Sequence, residues 1–565
     1  MRSRIGRTML LVGAVVAACC SAVGRQAAGE VVRADVWRLL ARQGGPIKVW
    51  VMFADKGQSS PDARQRMMDQ VRAEYDPRAL VRRLQRRTAP GLIDECDLPL
   101  SPAHVAAVTA TGARLGLPSR WLNAISVQAT AAQIKAIASL PFVKSIQPVG
   151  QGRRVTPKGV DDTASAAKPI DFVRALDEAG LEYGPSRDQL AQINVLALHD
   201  RGYTGTGVVL ALLDTGFYKA HETVHPERIL AEWDFVENDG DTQDDADDPP
   251  GNHGHGTATL SAAAGRADGR LYGAGFGASL ILCKTEDNSQ ETPIEEDYYV
   301  AGLEFAESHG ADVVTSSLGY IDWYTQAQLD GLTAVTTVGV NIATANGVFC
   351  CTAAGNFGPL GPSLIAPADA FQVIAVGAVD NWGLIAGLSS RGPTADGRVK
   401  PEVVARGVST WLASSGSPSG YGPGSGTSYA TPLVAGAVVC LVQAHPDWSI
   451  DQLRAALFHT ADYYVAHGTH DPDFARGYGL IDALAAHEYQ FITGDFDFDR
   501  DVDGADLRAL LACLTGPAVG PPDRSCRGAD FDGDADVDQS DFGIFQRCYS
   551  GTNNPVAPNC AGVAN

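Results

Sequence analysis

The strongest constraint on the fold of this chain is a series of near-continuous apolar segments between residues 183 and 488. These strand candidates are Val208–Leu213, Ala311–Thr315, Val348–Ala353 and Phe371–Val379. Helical patterns rich in small residues separate or follow them, at Asp297–Ser308, Leu332–Ala345 and Thr431–Ala444. Strands that are apolar on both faces are typical of a parallel sheet covered by helices. The pattern predicts a doubly wound, mostly parallel α/β domain, with ligands bound beyond the carboxyl ends of its strands.

Composition limits the classes of protein to which the chain can belong. Lys and Arg number 44 and Asp and Glu number 66, so the formal charge is 44 − 66 = −22. Nucleic-acid binding needs clustered cations, and the acidic excess argues against that partner. With 45% hydrophobic residues the chain can form sizeable cores, and at roughly 150 residues per domain it holds several folding units.

The first 29 residues have the pattern of a secretory signal. Three arginines precede the apolar run from Met9 to Ala18, and small residues follow. One alternative is a marginal membrane anchor. Another is a lipoprotein signal, because the residues from Val16 to Cys19 resemble a lipoprotein cleavage box. The protein is therefore expected to be secreted or at the cell surface, and to touch a membrane only if Cys19 is lipidated.

The rest of the chain separates into regions of different character. We predict an α+β domain at 30–150, a polar linker at 151–182, the α/β domain at 183–488 and an acidic module at 491–565. Strand, helix and strand patterns follow one another within the first of these regions, for example Ile47–Phe53, Ala124–Ala129 and Ala131–Ala138.

Three segments of the α/β domain carry chemically capable residues. Asp214 ends an apolar strand, His255 opens a small-residue helix between glycines, and Ser428 follows Gly-Thr at the start of an apolar helix. Each alone has an ordinary structural explanation, such as a strand-ending Asp or a helix-capping Ser. Together, in the order Asp, His, Ser, they match the triad order of subtilisin. The sequence resembles the subtilisin-like serine proteases (subtilases, peptidase S8 family).

The resemblance implies the roles of several residues. Asp214, His255 and Ser428 would form the catalytic triad, and Asn356 would donate to the oxyanion that forms in acyl transfer. Ser317, Leu318 and Gly319 look like the edge that pairs with extended polypeptide substrates. The chain departs from the family at Tyr429, Leu433 and Arg406, where Met, His and Pro are usual, but no catalytic atom is lost.

Two further regions each have more than one interpretation. Residues 31–150 have the position of a subtilase propeptide, and an independent binding domain is the rival interpretation. An acidic loop contains Glu237, Asp239, Asp241, Asp244, Asp245, Asp247 and Asp248 without a basic residue among them. It is either a solvated charge run, a calcium site or a selector of basic substrates.

The acidic module contains a repeat. Asp495 to Asp506 and Asp530 to Asp541 are 12-residue segments with acids at positions 1, 3, 5, 7, 9 and 12, the spacing of a calcium loop. The pair resembles dockerin-type EF-hand repeats, which implies structural Ca²⁺ and a protein partner. The expected ligands are Asp495, Asp497, Asp499, Asp501, Asp506, Asp530, Asp532, Asp534, Asp536 and Asp541. Asp501 and Asp536, at position 7, would bind through their main-chain carbonyls. Arg500 and Ala535 replace the usual Gly at position 6, which predicts weaker binding.

The cysteines fall into two groups. In the tail, Cys513 and Cys526 are 13 residues apart and Cys548 and Cys560 are 12 residues apart, which predicts a repeated disulfide. Cys96, Cys283, Cys350, Cys351 and Cys440 are expected to be buried free thiols.

Two functions from different classes remain. The first is a secreted serine endopeptidase made as a zymogen. The second is a catalytically inactive subtilase fold that serves as a surface adhesion or scaffold protein.

Overall fold

The structure, a computed structural model, describes residues 31–57, 60–152, 180–244, 252–286, 294–321, 324–520 and 524–562. These residues divide into two units, one within 31–487 and one from 488 onward, which are described separately. The expected signal at 1–29, including Cys19, lies outside the described residues. So do residues 153–179 of the expected linker and Asp245, Asp247 and Asp248 of the acidic loop.

The N-terminal part of the first unit is an antiparallel sheet in the order β2-β3-β1-β4 with helices packed on it. Its elements are α1 (Ala34–Gln43), β1 (Ile47–Phe53), α2 (Pro61–Glu74), α3 (Pro77–Arg86), α4 (Pro102–Thr109), β2 (Arg114–Ser119), β3 (Ala124–Ala129), α5 (Ala131–Ala138) and β4 (Val143–Pro148). Helices α2, α3 and α4 each begin with Pro directly after a capping residue, Ser60, Asp76 or Ser101, whose side chain accepts a main-chain N–H bond.

The α/β part of the same unit follows, and its elements continue in chain order. They are β5 (Gln151–Gly152), α6 (Arg187–Gln192), α7 (Leu196–Asp200), β6 (Val209–Asp214), β7 (Ile229–Asp234), α8 (Gly254–Ala264), β8 (Arg266–Ala267), β9 (Leu271–Tyr272), β10 (Ser279–Lys284), β11 (Ile294–Glu295), α9 (Glu296–Ser308), β12 (Val313–Ser316), α10 (Val335–Ala345), β13 (Phe349–Ala353), β14 (Ile374–Val379), β15 (Val403–Arg406), β16 (Thr410–Ser414), β17 (Gly420–Gly424), α11 (Thr427–Ala444), α12 (Ile450–Thr460), α13 (Asp462–His467) and α14 (Ala483–His487).

The central sheet has the order β15-β14-β13-β12-β6-β10-β7, and every neighbouring pair of strands in it is parallel. The expected α/β fold class is confirmed. Strand order reverses around β6, because β10 lies on one side of it and β12 on the other. Such a switch point leaves a crevice at the carboxyl ends of the strands, which is where β6 ends in Asp214 and β12 ends beside Ser317.

Helix α11 begins earlier than the sequence pattern predicts, at Thr427 instead of Thr431. Its Pro432 therefore lies inside the helix and not in the first turn. The helix is long and apolar enough to cross a membrane by composition, but 89% of it is buried within the protein. It is a core helix that packs against the central sheet.

The second unit contains α15 (Gly504–Cys513) and α16 (Gln539–Cys548), each introduced by an acidic segment. Both helices begin with a capping box, Asp503 with Asp506 and Asp538 with Asp541. Val502, Leu510, Val537 and Phe545 form a small shared core. The two halves are therefore built alike, as the sequence repeat predicts.

The cysteines follow the prediction with one exception. Disulfides join Cys513 to Cys526 and Cys548 to Cys560. Cys283, Cys350, Cys351 and Cys440 are buried free thiols. The prediction for Cys96 is wrong, because Cys96 is disulfide-bonded. Burial of a cysteine does not by itself distinguish a thiol from a half-cystine.

Candidate active site

Asp214 and His255 meet at the carboxyl end of the central sheet. The Nδ1 atom of His255 lies 2.7 Å from Oδ1 of Asp214. A carboxylate only accepts, so Nδ1 carries the hydrogen and Nε2 is left as the basic nitrogen. Asp214 is 1% exposed and also accepts bonds from the main-chain N–H of Thr215 (2.8 Å) and the hydroxyl of Thr259 (2.9 Å). These donors hold the carboxylate in one orientation toward the imidazole.

Close packing of α8 against the end of β6 makes this contact. A Cβ on Gly256 would lie 2.1 Å from the carbonyl oxygen of Gly216 and 3.1 Å from Cβ of Asp214. A side chain at position 256 would push the helix away from the strand. The glycine after His255 therefore sets the distance from the imidazole to the carboxylate.

Ser428 lies in the first turn of α11. Its hydroxyl donates to the carbonyl of Ser317 at 3.2 Å, and the hydroxyl of Ser317 donates to the carbonyl of Ser428 at 2.6 Å. The carbonyl of Ser428 is free to accept this bond because its helical partner four residues on would be Pro432, which has no N–H. The reciprocal pair fixes the start of α11 on the end of β12.

His255 faces the same region. Its Nε2 atom is buried and accepts no hydrogen bond from the described residues. The His255 ring lies 5.8 Å from the ring of Tyr429, the residue after Ser428.

Asn356 follows β13, and its amide orientation is determined by Thr427. The side-chain oxygen of Asn356 accepts from the main-chain N–H of Thr427 (2.9 Å) and from its hydroxyl (3.0 Å). The amide nitrogen must then face the other way. A point at the Cβ position of Gly426 is 3.4 Å from this nitrogen and 3.7 Å from the main-chain nitrogen of Ser428. Two N–H donors thus lie beside the same small volume.

The residues expected to line the substrate edge continue β12. Leu318 is 3% exposed, and a Cβ on Gly319 would lie 2.0 Å from Cδ1 of Ile365. Tyr320 then bonds in both directions with the main chain of Ala366. The segment Ser317 to Gly319 is therefore held between the catalytic helix and the loop after β13.

Comparisons with known proteins agree with this geometry. Residues 205–479 match the model of the subtilase family, and residues 48–163 match a peptidase S8 propeptide domain of Bacteroidota. Subtilisin E of Bacillus subtilis is 34% identical over 299 residues, which are 53% of this chain and 70% of that protein. Subtilisin of Bacillus pumilus is 33% identical over 299 residues, which are 53% of this chain and 97% of that protein.

The chain belongs to the subtilase family. Among solved structures, fervidolysin from Fervidobacterium pennivorans, a keratinolytic enzyme related to subtilisin, matches with a TM-score of 0.54 and 22% identity. The match covers 80% of this chain and 62% of fervidolysin, and it supports the fold alone. The family assigns this subtilase to the serine endopeptidases and identifies its N-terminal α+β part as a propeptide domain.

Sequence reasoning did not single out several residues that support the site. Thr259 lies four residues after His255, so the helical period already places both on one face of α8. Thr427, directly before Ser428, orients the side chain of Asn356, which lies in the loop after β13. No local signal identifies that contact, because the partners are 71 residues apart.

Acids of the loop between Asp214 and His255 have protein partners where the structure describes them. Glu237 pairs with Lys284 and Asp241 with Lys219, both at 2.8 Å, and the carboxylate of Asp244 accepts the main-chain N–H of His253 at 2.7 Å. Burial raises the pKa of Glu237 to about 7, and the nearby Asp234 charge adds to the shift. Two of the described acids of this loop are therefore paired with lysines, and the side chain of Asp241 is also 56% exposed.

The acidic segments of the second unit bring carboxylates together in four groups. Ligand atoms within 4.8 Å of one another come from Asp495, Asp497 and Asp506; Asp501, Asp503 and Asp506; Asp530, Asp532 and Asp541; and Asp536, Asp538 and Asp541. The expected ligands Asp499 and Asp534 are not in these groups and instead accept main-chain bonds from Asp501 and Asp536. Asp503 and Asp538, which are not among the expected ligands, belong to these groups and also cap α15 and α16.

Position 6 of each loop has the conformation that glycine favours. Arg500 has φ 74° and Ala535 has φ 72°, both in the left-handed region. The loops thus keep the sharp turn although neither has glycine there. A non-glycine residue in this region costs on the order of 1–2 kcal/mol.

Loss of the Asn356 amide should reduce turnover more than loss of the Thr427 hydroxyl that orients it. We expect Asn356→Ala to lower kcat by about 100- to 1,000-fold, the loss known for such a donor in subtilisin, with KM little changed. Thr427→Val keeps the main-chain donor but loses the hydroxyl, so we expect a loss of about 10-fold, near the worth of one hydrogen bond. Steady-state kinetics on a peptide anilide measures both. Equal losses in the two variants would contradict the orienting role.

Replacing Ala535 by Gly should stabilise the second unit. Relief of the left-handed strain exceeds the added entropy of the unfolded chain, so we expect a gain of about 0.5–1 kcal/mol. Ala505→Gly, within the first turn of α15, is the matched control and should destabilise by about as much. Chemical denaturation of the full chain, followed by hydrogen exchange of residues 488–520 and 524–562, measures the difference. A loss of stability in Ala535→Gly would refute this account of the turn.

Proposed function

We propose that this subtilase is a secreted serine endopeptidase that uses Asp214, His255 and Ser428 as its triad and Asn356 as an oxyanion donor. The observation that carries the proposal is the 2.7 Å bond from His255 to a buried Asp214, with the other ring nitrogen free of described partners and facing the start of α11. An imidazole held in this tautomer is a general base for a neighbouring alcohol.

The chemistry follows from these groups. Nε2 of His255 takes the proton of Ser428 as its oxygen attacks the substrate carbonyl, and the carbonyl π electrons move to oxygen. The amide of Asn356 and the main-chain N–H of Ser428 donate to that oxyanion, while Asp214 stabilises the imidazolium. The imidazolium then protonates the leaving amine. Water, activated by the same imidazole, hydrolyses the acyl-enzyme and regenerates the serine.

The propeptide exit strand supports a zymogen that engages its own cleft. Gln151–Gly152 (β5) pairs antiparallel with Ile294–Glu295 (β11), directly before α9. Extended polypeptides bind proteases through such main-chain pairing, and Ser317, Leu318 and Gly319 would supply the neighbouring edge. We propose that the chain is cut after this pairing, within the linker at 151–182. The domain boundaries proposed are 1–29, 30–150, 151–182, 183–488 and 491–565.

The acidic repeats support a calcium-binding docking module of the dockerin type. Oδ1 atoms of Asp497, Asp501 and Asp536 are buried and have no hydrogen-bond partner among the described residues. Burial and the Asp506 charge raise the pKa of Asp495 to about 8, and the same causes raise the pKa of Asp497 to about 7. A divalent cation would coordinate these oxygens and offset the repulsion between the carboxylates. The proposed ligands are the ten aspartates named from the sequence, with Asp503 and Asp538 added.

The proposed location is outside the cell or on its surface, from the signal pattern, with membrane attachment only through a lipidated Cys19. The substrates would be polypeptides. A protein partner would bind the C-terminal module, and nucleic acid is not expected to bind so acidic a chain.

Replacing the nucleophile should stop maturation. We expect Ser428→Ala protein to accumulate with its propeptide uncut, while the unmodified chain yields a new N-terminus within 151–182. Intact mass and N-terminal sequencing from a protease-deficient host measure this. If Ser428→Ala matures normally there, autocatalytic cleavage is wrong.

The second candidate function is an inactive subtilase scaffold, and labelling with a fluorophosphonate probe separates the two. Probe attachment that is lost in both Ser428→Ala and His255→Ala supports the protease. A folded, processed chain that remains unlabelled supports the scaffold.

Calcium removal should loosen the second unit selectively. In full-length Ser428→Ala protein, we expect a chelator to increase hydrogen exchange around Val502 and Val537 by at least about 10-fold, because unscreened carboxylates repel one another. Exchange in α11 should not change. A variant carrying Asp506→Asn and Asp541→Asn should exchange rapidly with or without calcium. Equal exchange of the unmodified module with and without calcium would rule out the assignment.

A further inference from the structure

Two glycines beside the proposed oxyanion donors face the same side chain. Gly319 ends the segment that continues β12, and Gly355 directly precedes Asn356 in the loop after β13. A Cβ on Gly319 would lie 2.0 Å from Cδ1 and 2.4 Å from Cγ1 of Ile365. A Cβ on Gly355 would lie 3.1 Å from Cγ2 and 3.3 Å from Cγ1 of the same residue. The side chain of Ile365 therefore occupies the space between the two segments.

The main chain holds Ile365 in this space from both sides. Its N–H donates to the carbonyl of Ala354 at 3.3 Å, which ties it to the end of β13. The next residue, Ala366, exchanges main-chain bonds of 2.8 and 3.1 Å with Tyr320, at the end of the other segment. Leu364 and Ala366, the two chain neighbours, are both 0% exposed. A β-branched side chain on so fixed a main chain has little freedom to leave the space.

A hydroxyl group closes the space on the side of Gly355. A Cβ on Gly355 would lie 2.7 Å from Oγ of Ser390, and this oxygen accepts the main-chain N–H of Phe357 at 3.1 Å. The main-chain N–H of Ser390 in turn donates to the carbonyl of Gly355 at 2.9 Å. The space is thus bounded by the branched alkyl group of Ile365 and by a hydroxyl that is already bonded to the protein.

The space filled by Ile365 is where a substrate side chain would enter. In the proposed mechanism, an extended substrate pairs with Ser317 to Gly319, and its carbonyl oxygen accepts from Asn356 and from the main-chain N–H of Ser428. The residue that carries this carbonyl, here called the acyl residue, then lies between the segment that binds its main chain and the segment that binds its oxygen. Its side chain is directed into the space between the same two segments.

We propose that Ile365 determines the substrate specificity of this enzyme by restricting the acyl residue to the small side chains of glycine, alanine or serine. The inference rests on the proposed endopeptidase function and specifies its substrate class. A hydrogen, methyl or hydroxymethyl group fits beside Ile365, whereas the side chain of leucine or phenylalanine would overlap its Cγ and Cδ1 atoms. Because the protein is close-packed and bonded around Ile365, the overlap displaces the substrate carbonyl from its donors.

The test compares tetrapeptide anilides that differ only in the residue joined to the anilide. For the processed enzyme obtained from the full chain, with active sites counted by a fluorophosphonate probe, we expect kcat/KM to be at least about 30-fold higher for alanine than for phenylalanine. One excess methylene in a fixed pocket already costs about 10- to 200-fold. A value for leucine or phenylalanine equal to or above that for alanine would overturn the proposal, although the endopeptidase function would stand. Absence of hydrolysis with every peptide would refute the endopeptidase function, and the inference would fall with it.

Variants of Ile365 assign the restriction to its side chain. Ile365→Val removes Cδ1, the atom nearest to Gly319, and Ile365→Ala removes both Cγ atoms as well. We expect the ratio of kcat/KM for phenylalanine to that for alanine to rise by about 5-fold in Ile365→Val and by about 50-fold or more in Ile365→Ala. The phenylalanine peptide should account for most of each change.

Ile374→Val is the matched control, because it makes the same change at a position of β14 that is 0% exposed. It should leave the ratio unchanged, which separates the shape of the space from a general loss of packing. If Ile365→Ala fails to fold, Ile365→Val, which loses a single methyl group, still decides the question. An unchanged ratio in Ile365→Val and in folded Ile365→Ala would refute the role of Ile365.

Discussion

The bond between Asp214 and His255 depends on one steric constraint, the close approach of α8 to the end of β6. Gly256 allows this approach because any side chain there would collide with the main chain of Gly216. Three nearby residues hold other groups of the site in place by hydrogen bonds. Thr259 holds the carboxylate, Ser317 holds the carbonyl that Pro432 leaves unpaired, and Thr427 holds the amide of Asn356.

The catalytic residues come from different strand ends because the sheet is parallel. In such a sheet all carboxyl ends lie at one edge, so residues far apart in sequence converge there without long loops. The opposite edge of the sheet has a different use. It presents helix C-termini, whose carbonyls attract cations, and the propeptide domain supplies buried arginines to them. The catalytic residues thus lie at the carboxyl ends of the strands, and the propeptide arginines contact the helix ends on the opposite side of the sheet.

Glu307 shows how closely the two domains are adapted. It is buried against Arg83 and Arg82 of the propeptide domain. Burial alone would raise the pKa of its carboxyl, but the two guanidinium charges hold that pKa below its usual range. Glu296 is buried beside Trp50 and Gly150, whose indole N–H and main-chain N–H donate to its carboxylate. Burial raises the pKa of Glu296 to about 7. Burial thus raises the pKa of both carboxyls, and the arginine charges beside Glu307 reverse the shift there.

Much of this protein follows from local pattern in the sequence. The apolar runs, the motifs around Asp214, His255 and Ser428, and the register of the acidic repeat determine the fold class, the candidate triad and the paired acidic loops, because each is read from residues close in sequence. Only the tertiary structure decided the orientation of Asn356 by Thr427, the bonded state of Cys96 and the burial of Arg82, Arg83 and Arg86. In each case the deciding partner is remote in the chain, and an arginine-rich helix looks the same in sequence whether its arginines face water or the ends of three other helices.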